Sequence, residues 1–156
     1  KEPFSECQIS NIHQLILRNI DDENAGQYRQ QNVLISCTTT MPPDYTLLND
    51  KMAHLVDWYN SAAHTFHPIE RAVKVLADFV GIHPFIDGNG RTSRLLMNLE
   101  LMKAGYPPCV ITVENRLAYY KALDQWMAYD KTKAFIQLIS EAVIEGFKPY
   151  QIILGI

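Results

Sequence analysis

The sequence predicts a mostly helical protein, a bundle of helices accompanied by a short β-hairpin. Apolar residues recur at helical spacing in several stretches, and these stretches end at glycine, proline or acidic residues. One segment differs, because residues 33–40 read Val-Leu-Ile-Ser-Cys-Thr-Thr-Thr, a short β-prone run that Pro42 and Pro43 stop. We therefore expect a helical core with one strand or hairpin beside it.

The predicted helices follow from start signals, stop signals and apolar spacing. Ser5 can cap a first helix, which the acidic stretch 21–26 ends and whose apolar residues are Ile9, Ile12, Leu15 and Ile16. Proline favours the first helical turn, so Pro68 is expected to begin a helix that reaches about Ile82. Together, the later helices are predicted over residues 45–59, 68–82, 90–104, 114–129 and 132–150, with Asp130 and Lys131 separating the last two.

Composition and charge fit one domain spanning residues 1–156. The chain is 47% hydrophobic, enough for a proper core, and its net charge of −3 argues against a nucleic-acid partner. Three cysteines without a Cys-x-x-Cys pair fit free thiols in a reducing compartment, and no apolar run is long enough to span a membrane. We expect a cytoplasmic protein, with a secreted effector left open. Because the chain begins with Lys1, we expect a fragment of a longer protein.

Residues 83–94 combine several chemical groups, since they read His-Pro-Phe-Ile-Asp-Gly-Asn-Gly-Arg-Thr-Ser-Arg. Gly88 and Gly90 lack a Cβ, so the backbone between them can point consecutive N–H groups at an anion. His83 titrates near neutral pH and can take a proton from a hydroxyl. Asp87 is a hard oxygen ligand, suited to a magnesium ion beside phosphates. The stretch indicates a phosphate site with its own base.

A helix is predicted directly after the glycines, and its N-terminus adds to the phosphate site. Its free N–H groups would point at an anion over residues 88–91, and Arg91 and Arg94 would project from nearly one face of the first turn. The apolar stripe of this helix is predicted to be Leu95, Leu96, Leu99 and Met102. The two guanidinium groups on the first turn can bind two successive phosphates.

The stretch resembles the signature of the Fic-domain family, His-Pro-Phe-x-Asp/Glu-Gly-Asn-Gly-Arg-x-x-Arg, at every specified position. The resemblance extends over about residues 9–156 through stretches in family order: Ala25–Arg29, Met41–Pro43, His67–Glu70, Ala104–Pro108 and Tyr119–Tyr120. It implies a Fic-type helical bundle with a short β-hairpin flap. It also implies transfer of AMP from ATP to a serine, threonine or tyrosine hydroxyl of a target protein, with auto-modification left open.

The resemblance also implies residue roles. His83 would be the general base, and Asp87 would hold the magnesium that bridges the α- and β-phosphates. The ATP-binding residues would be Gly88, Asn89 and Gly90 as the anion hole, Arg91 near the β-phosphate, Thr92, Ser93, Arg94 near the γ-phosphate, and Tyr119 at the adenine. Tyr120 is expected to be a core residue, and Arg29 a structural ion-pair partner.

The β-prone segment has two interpretations. It is either a plain connector or a flap whose unpaired edge pairs with an extended segment of the target protein. The resemblance favours the flap, with Ile35, Ser36 and Cys37 facing substrate. Cys37 stands where the family pattern leads us to expect glycine. This departure could alter how tightly the flap closes.

Three function classes remain, of which AMP transfer is preferred. A Fic-fold phosphotransferase would carry lysine in place of Gly90, and a non-enzymatic nucleotide-binding module would need neither His83 nor Asp87. Removal of AMP would need a glutamate near Arg94. The nearest match to a family inhibitory helix is 141–146, which we interpret as part of the last helix with Glu145 in solvent. A homo-oligomer is left open.

Overall fold

Six α-helices form the protein in the computed structural model, which describes residues 4–36 and 38–155. They are α1 (Glu6–Leu17), α2 (Leu48–Ser61), α3 (Pro68–Ile82), α4 (Asn89–Lys103), α5 (Arg116–Tyr129) and α6 (Lys133–Leu154), with short 3-10 turns at Tyr45–Leu47 and Ala63–Thr65. The predicted mostly helical fold is confirmed. Two predicted start signals are also confirmed, because the Ser5 side chain accepts a hydrogen bond from the Gln8 N–H and Pro68 is the first residue of α3.

Helix α3 is the centre of the fold. It is buried on two opposite sides, and each side belongs to a different cluster of core residues. Val73, Leu76 and Val80 pack with residues of α4, α5 and α6, whereas Val75 and Phe79 pack with residues of α1, α2 and α4. Helix α4 packs along α3 and contributes to both clusters. The turn that joins α3 to α4 therefore leaves one buried helix and enters another.

The predicted apolar faces of two helices are partly wrong. On α4 the buried side chains include Leu96, Met97 and Leu101, whereas Leu95 and Met102 are exposed. On α1 the buried set is Ile9, His13 and Leu17, and Leu15 is exposed. In both helices polar side chains lie on the buried face. A prediction based on apolar residues alone therefore misplaced that face.

The predicted β-hairpin is not confirmed, because the structure assigns no strand in residues 4–36 or 38–155. No backbone–backbone hydrogen bond joins residues 32–36 to another described residue. The stretch 38–40 is held instead by a side chain, the carboxylate of Asp124 on α5. A β-prone sequence needs a partner strand to become a sheet, and the described part of this chain supplies none.

Candidate active site

His83 ends α3 in the left-handed conformation, with φ of 52° and ψ of 59°. This conformation is uncommon for a residue with a Cβ, and it turns the chain sharply into the next loop. The Nδ1 atom of His83 lies 3.3 Å from the Val80 carbonyl oxygen. Because a carbonyl only accepts, this contact places the proton on Nδ1 and leaves the Nε2 lone pair free.

The protonation state of His83 suits a general base. Burial lowers the pKa of His83 below its ordinary value of 6.5, and the nearby Arg29 charge acts in the same direction. The hydrogen bond to Val80 and the charge of Asp87 oppose this shift. The imidazole is therefore neutral at neutral pH, the form that can accept a proton.

The loop after His83 is held by buried hydrogen bonds. The Asn89 side chain is 2% exposed, and it accepts from the Phe85 N–H at 3.0 Å and donates to the Phe85 carbonyl at 2.8 Å. Phe85 is fully buried and stacks on His13 with ring centroids 3.6 Å apart. The Asn89 side chain therefore supports the loop, which leaves its backbone N–H as the group that can face an anion.

His13 on α1 supports the loop from below. Its Nδ1 accepts from the Gly26 N–H at 2.8 Å, so its Nε2 carries the proton that it donates to the Asp87 carbonyl at 2.9 Å. A Cβ on Gly88 would lie 3.0 Å from His13 Nε2, and Gly88 has a φ of 77°. Glycine is therefore required at this position by both space and conformation.

The start of α4 has the backbone geometry expected of the predicted phosphate cradle. Because α4 begins at Asn89, the N–H groups of Asn89, Gly90 and Arg91 have no acceptor within the helix. The Asp87 carboxylate accepts from the Gly88 N–H at 2.6 Å and from Arg91 at 3.0 Å, and its side chain is 69% exposed. A carboxylate, a guanidinium and free N–H groups thus share one opening.

A small cavity of about 90 Å³ joins the motif to the rest of the predicted site. His83, Gly90 and Arg94 line it from the motif, α5 supplies Tyr119 and Tyr120, and the β-prone segment supplies Ile35 and Ser36. Arg94 also reaches a neighbouring groove of about 500 Å³, which both tyrosines line as well. The structure therefore brings together residues that lie up to 85 positions apart in the sequence.

The two tyrosines of α5 differ in exposure. Tyr119, predicted at the adenine, is 3% exposed, and its ring packs edge-on against Phe135. Burial raises the pKa of Tyr119 to about 12, with the charge of Arg94 acting in the opposite direction. Tyr120, predicted to be core, is only half-buried. Both rings line the cavity, and Tyr120 offers the more accessible surface.

Thr92 and Ser93 do not face the cradle. Both are fully buried on the inner side of α4, and the Ser93 hydroxyl donates to the Gly90 carbonyl at 3.0 Å. The Thr92 hydroxyl is buried without a hydrogen-bond partner among the described residues. Their side chains therefore cannot make the predicted contact with ATP, because the first turn of α4 directs positions 92 and 93 toward the core.

Arg29 differs from its predicted role as an ion-pair partner. It is 3% exposed, and its guanidinium donates to three carbonyls, those of His83 at 2.9 Å, Gln31 at 2.8 Å and Pro43 at 2.6 Å. Burial lowers its pKa, and the charge of Asp44 opposes the shift. Arg29 thus ties both ends of the 31–43 segment to the backbone of His83. Cys37, the third predicted flap residue, lies outside the described residues.

Glu145 lies on α6, exposed and paired with Lys148, as the interpretation of 141–146 as ordinary helix expects. Gly146 faces inward instead, where a Cβ would lie 3.2 Å from Pro107. In the part of the chain that the structure describes, no helix combines the length and apolar character needed to cross a bilayer.

Sequence reasoning missed His13 and Asp124 as site supports and misjudged Arg29. His13 carried a faint signal, because it lies four residues from Ile9 and four from Leu17 on one helical face. Asp124 carried none, since its partners lie 84 to 86 residues away.

Comparison with known proteins identifies the relatives of this site. A family model described as Fic/DOC family matches residues 3–101. The protein adenylyltransferase Fic of Aedes aegypti is 43% identical over 116 residues, which cover 74% of this chain and 23% of the relative. The protein adenylyltransferase fic-1 of Caenorhabditis elegans is 40% identical over 123 residues, covering 78% of this chain and 24% of the relative.

Solved structures agree with the sequence relatives. A structure of a C. elegans Fic-1 fragment matches with a TM-score of 0.87 and 32% identity, over 98% of this chain and 44% of that one. The chain spans about a quarter of the length of the curated relatives named above.

Proposed function

Because the chain belongs to the Fic/DOC family, we propose that it transfers AMP from ATP to a serine, threonine or tyrosine hydroxyl of a target protein, with His83 as general base. The observation that carries the proposal is the shared cavity of about 90 Å³, which His83, Gly90 and Arg94 line together with α5 and the 31–43 segment. A base, an anion-binding helix N-terminus and a charged clamp meet there.

The proposed reaction needs one proton acceptor and a field that stabilises negative charge. The target hydroxyl loses its proton to Nε2 of His83 while its oxygen bonds to the α-phosphorus of ATP. The bond from that phosphorus to the α–β bridging oxygen breaks, and pyrophosphate leaves. The N–H groups of residues 89–91 and the guanidinium of Arg91 stabilise the negative charge on the phosphates.

Arg94 is proposed to orient the far end of the nucleotide. It lines both the small cavity and the 500 Å³ groove, so its guanidinium can reach a γ-phosphate while Arg91 stays with Asp87. Two forked donors at different depths hold two phosphates in fixed order, which sets the α-phosphorus before the nucleophile.

Asp87 fits a role as magnesium ligand. Its carboxylate is largely exposed at the opening and lies beside the free N–H groups of α4. Among the described residues, no group of three or more His, Cys, Asp or Glu side chains could hold a metal, so phosphate oxygens and water would complete the shell around Asp87. A bound magnesium would neutralise charge on the leaving pyrophosphate.

The target protein is proposed to bind along residues 32–36. These residues make no backbone–backbone hydrogen bond to described residues, so their N–H and C=O groups are available to an extended segment of the target. Ile35 and Ser36 also line the cavity, which places such a segment next to His83.

The test is incubation with magnesium and ATP labelled at either the α- or the γ-phosphate, alone and in a lysate. We expect α-label on protein and none of the γ-label. His83→Ala should abolish the α-label, whereas the matched His64→Ala, which removes an exposed histidine, should leave it unchanged.

Protein-bound γ-label without α-label would show that the activity is phosphotransfer and not AMP transfer. If the chain bound ATP but neither label became attached to protein, the chain would be a nucleotide-binding module without transferase activity. Full α-labelling by His83→Ala would contradict the role of His83 as base.

A further inference from the structure

One carboxylate on α5 holds the stretch that follows the target-binding residues. Asp124 accepts from the Thr39 N–H at 2.8 Å and from the Thr39 hydroxyl at 3.1 Å. The Thr38 hydroxyl also donates to it, and the Thr40 hydroxyl lies 3.4 Å away. Three consecutive threonines therefore converge on one charged side chain.

The contact closes a wall of the cavity that contains His83. Ile35, Ser36 and Thr38 form one side of that cavity, and α5 forms the opposite side through Tyr119, Tyr120, Leu123 and Met127. Asp124 directly follows Leu123 on α5, and the threonines that it binds begin two positions after Ser36. The carboxylate thus joins the two sides at the rim of the cavity.

This contact lies at the surface rather than in the core. Asp124 is half-buried and Thr39 is exposed, so the contact lies near the surface. The other tie of the segment, Arg29, holds its two ends at Gln31 and Pro43 rather than its middle. Without Asp124, the described residues offer few other polar contacts to positions 38–40.

We propose that Asp124 is a positioning residue that latches the 38–40 stretch to α5 and so keeps Ile35 and Ser36 over the cavity of His83. A site that is competent only when closed loses apparent affinity in proportion to the time it spends open. Loss of the latch should therefore weaken ATP and target binding, while the chemistry of the closed state is unchanged. The kinetic part of this proposal rests on the proposed AMP transfer.

The test compares Asp124→Ala with the wild type in KM, kcat and backbone hydrogen exchange. We expect KM for ATP and for the target to rise about tenfold, with kcat changed less than about twofold. Amide exchange of Thr39 and its neighbours should become faster, because the Thr39 N–H loses its acceptor. Asp124→Glu keeps the charge and should restore most of the affinity.

Asp57→Ala is the matched control, because it removes an exposed aspartate from α2 and should change neither constant. Unchanged KM with unchanged exchange in Asp124→Ala would overturn the proposal. A fall in kcat at constant KM would also overturn it, since Asp124 would then act in the chemistry.

The two proposals fail in different ways. If the wild-type chain transferred no AMP, the proposed function would fail, but the latch would still be tested by the Kd for a non-hydrolysable ATP analogue and by hydrogen exchange. Equal Kd and equal exchange in wild type and Asp124→Ala would then reject the latch alone.

Discussion

The turn from α3 to α4 and the segment 31–43 meet at one cavity, yet they are held in different ways. The turn is fixed by buried contacts, with Asn89 bonded twice to the Phe85 backbone and Phe85 stacked on His13. The segment is tied by side chains at its ends and near its middle, through Arg29 and Asp124. Buried contacts surround the groups proposed to act in AMP transfer, whereas only a few side-chain contacts hold the residues proposed to bind the target.

This difference has a physical basis. Groups that stabilise charge in a reaction act best when they are already in place, because any rearrangement would cost free energy during the reaction. A surface that binds a target segment needs free backbone groups, which a packed strand would already have used. Four experiments test whether the turn and the segment differ in this way.

The largest effect is expected in the pH dependence of the proposed transfer. Neutral His83 is the proposed base, and burial holds its pKa below 6.5, so kcat/KM should be constant near neutral pH. Below that pKa the rate should fall about tenfold for each pH unit. The same shift means that folding favours the neutral form, so His83 contributes stability that decreases as pH falls below 6.5.

The measurement is kcat/KM against pH, with circular dichroism at each pH to exclude unfolding. An acid limb with an apparent pKa above 6.5 would contradict the expected protonation state of His83.

The next largest effect is on stability, from Asn89→Ala. This change leaves the Phe85 N–H and carbonyl buried without their partners, which should cost about 3 kcal/mol of unfolding free energy. The matched control is Asn98→Ala, because Asn98 makes the same pair of bonds to Cys109 but is only half-buried. Urea unfolding measures both, and an equal cost for the two variants would contradict a specially rigid turn.

A third variant, Arg29→Lys, addresses the residue shared by both regions. An ammonium keeps the charge but cannot reach three carbonyls with a fork of donors, so we expect a loss of about 2 kcal/mol and a lower kcat. The kcat should fall because the His83 carbonyl loses its hydrogen bond. Thermal unfolding and steady-state kinetics measure the two effects. A stability loss with normal kcat would confine Arg29 to a structural role.

The smallest effect is expected from Leu34→Ala in the segment. Leu34 is 76% exposed, so its truncation should change the unfolding free energy by less than about 0.5 kcal/mol. Urea unfolding is again the measurement. A loss comparable to that of Asn89→Ala would show that the segment is packed as firmly as the turn, which would remove the contrast between them.

The helices and the types of chemical group in residues 83–94 could be predicted from the sequence alone. Start signals such as Ser5 and Pro68, and the spacing of the α3 residues, act within a few positions, so they can be identified in one chain. The group types in 83–94 likewise lie within one short stretch. Local chemistry is enough to predict a base beside a phosphate cradle.

The tertiary structure was needed to show which side chains face the predicted cradle and which contacts hold it in place. Thr92 and Ser93 turned inward, Tyr120 remained more accessible than Tyr119, and Arg29 bonded carbonyls instead of a carboxylate. The contact between Asp124 and the threonines joins positions more than 80 residues apart, and no local pattern encodes it. Such contacts depend on how helices pack, because packing sets which distant polar groups must satisfy one another.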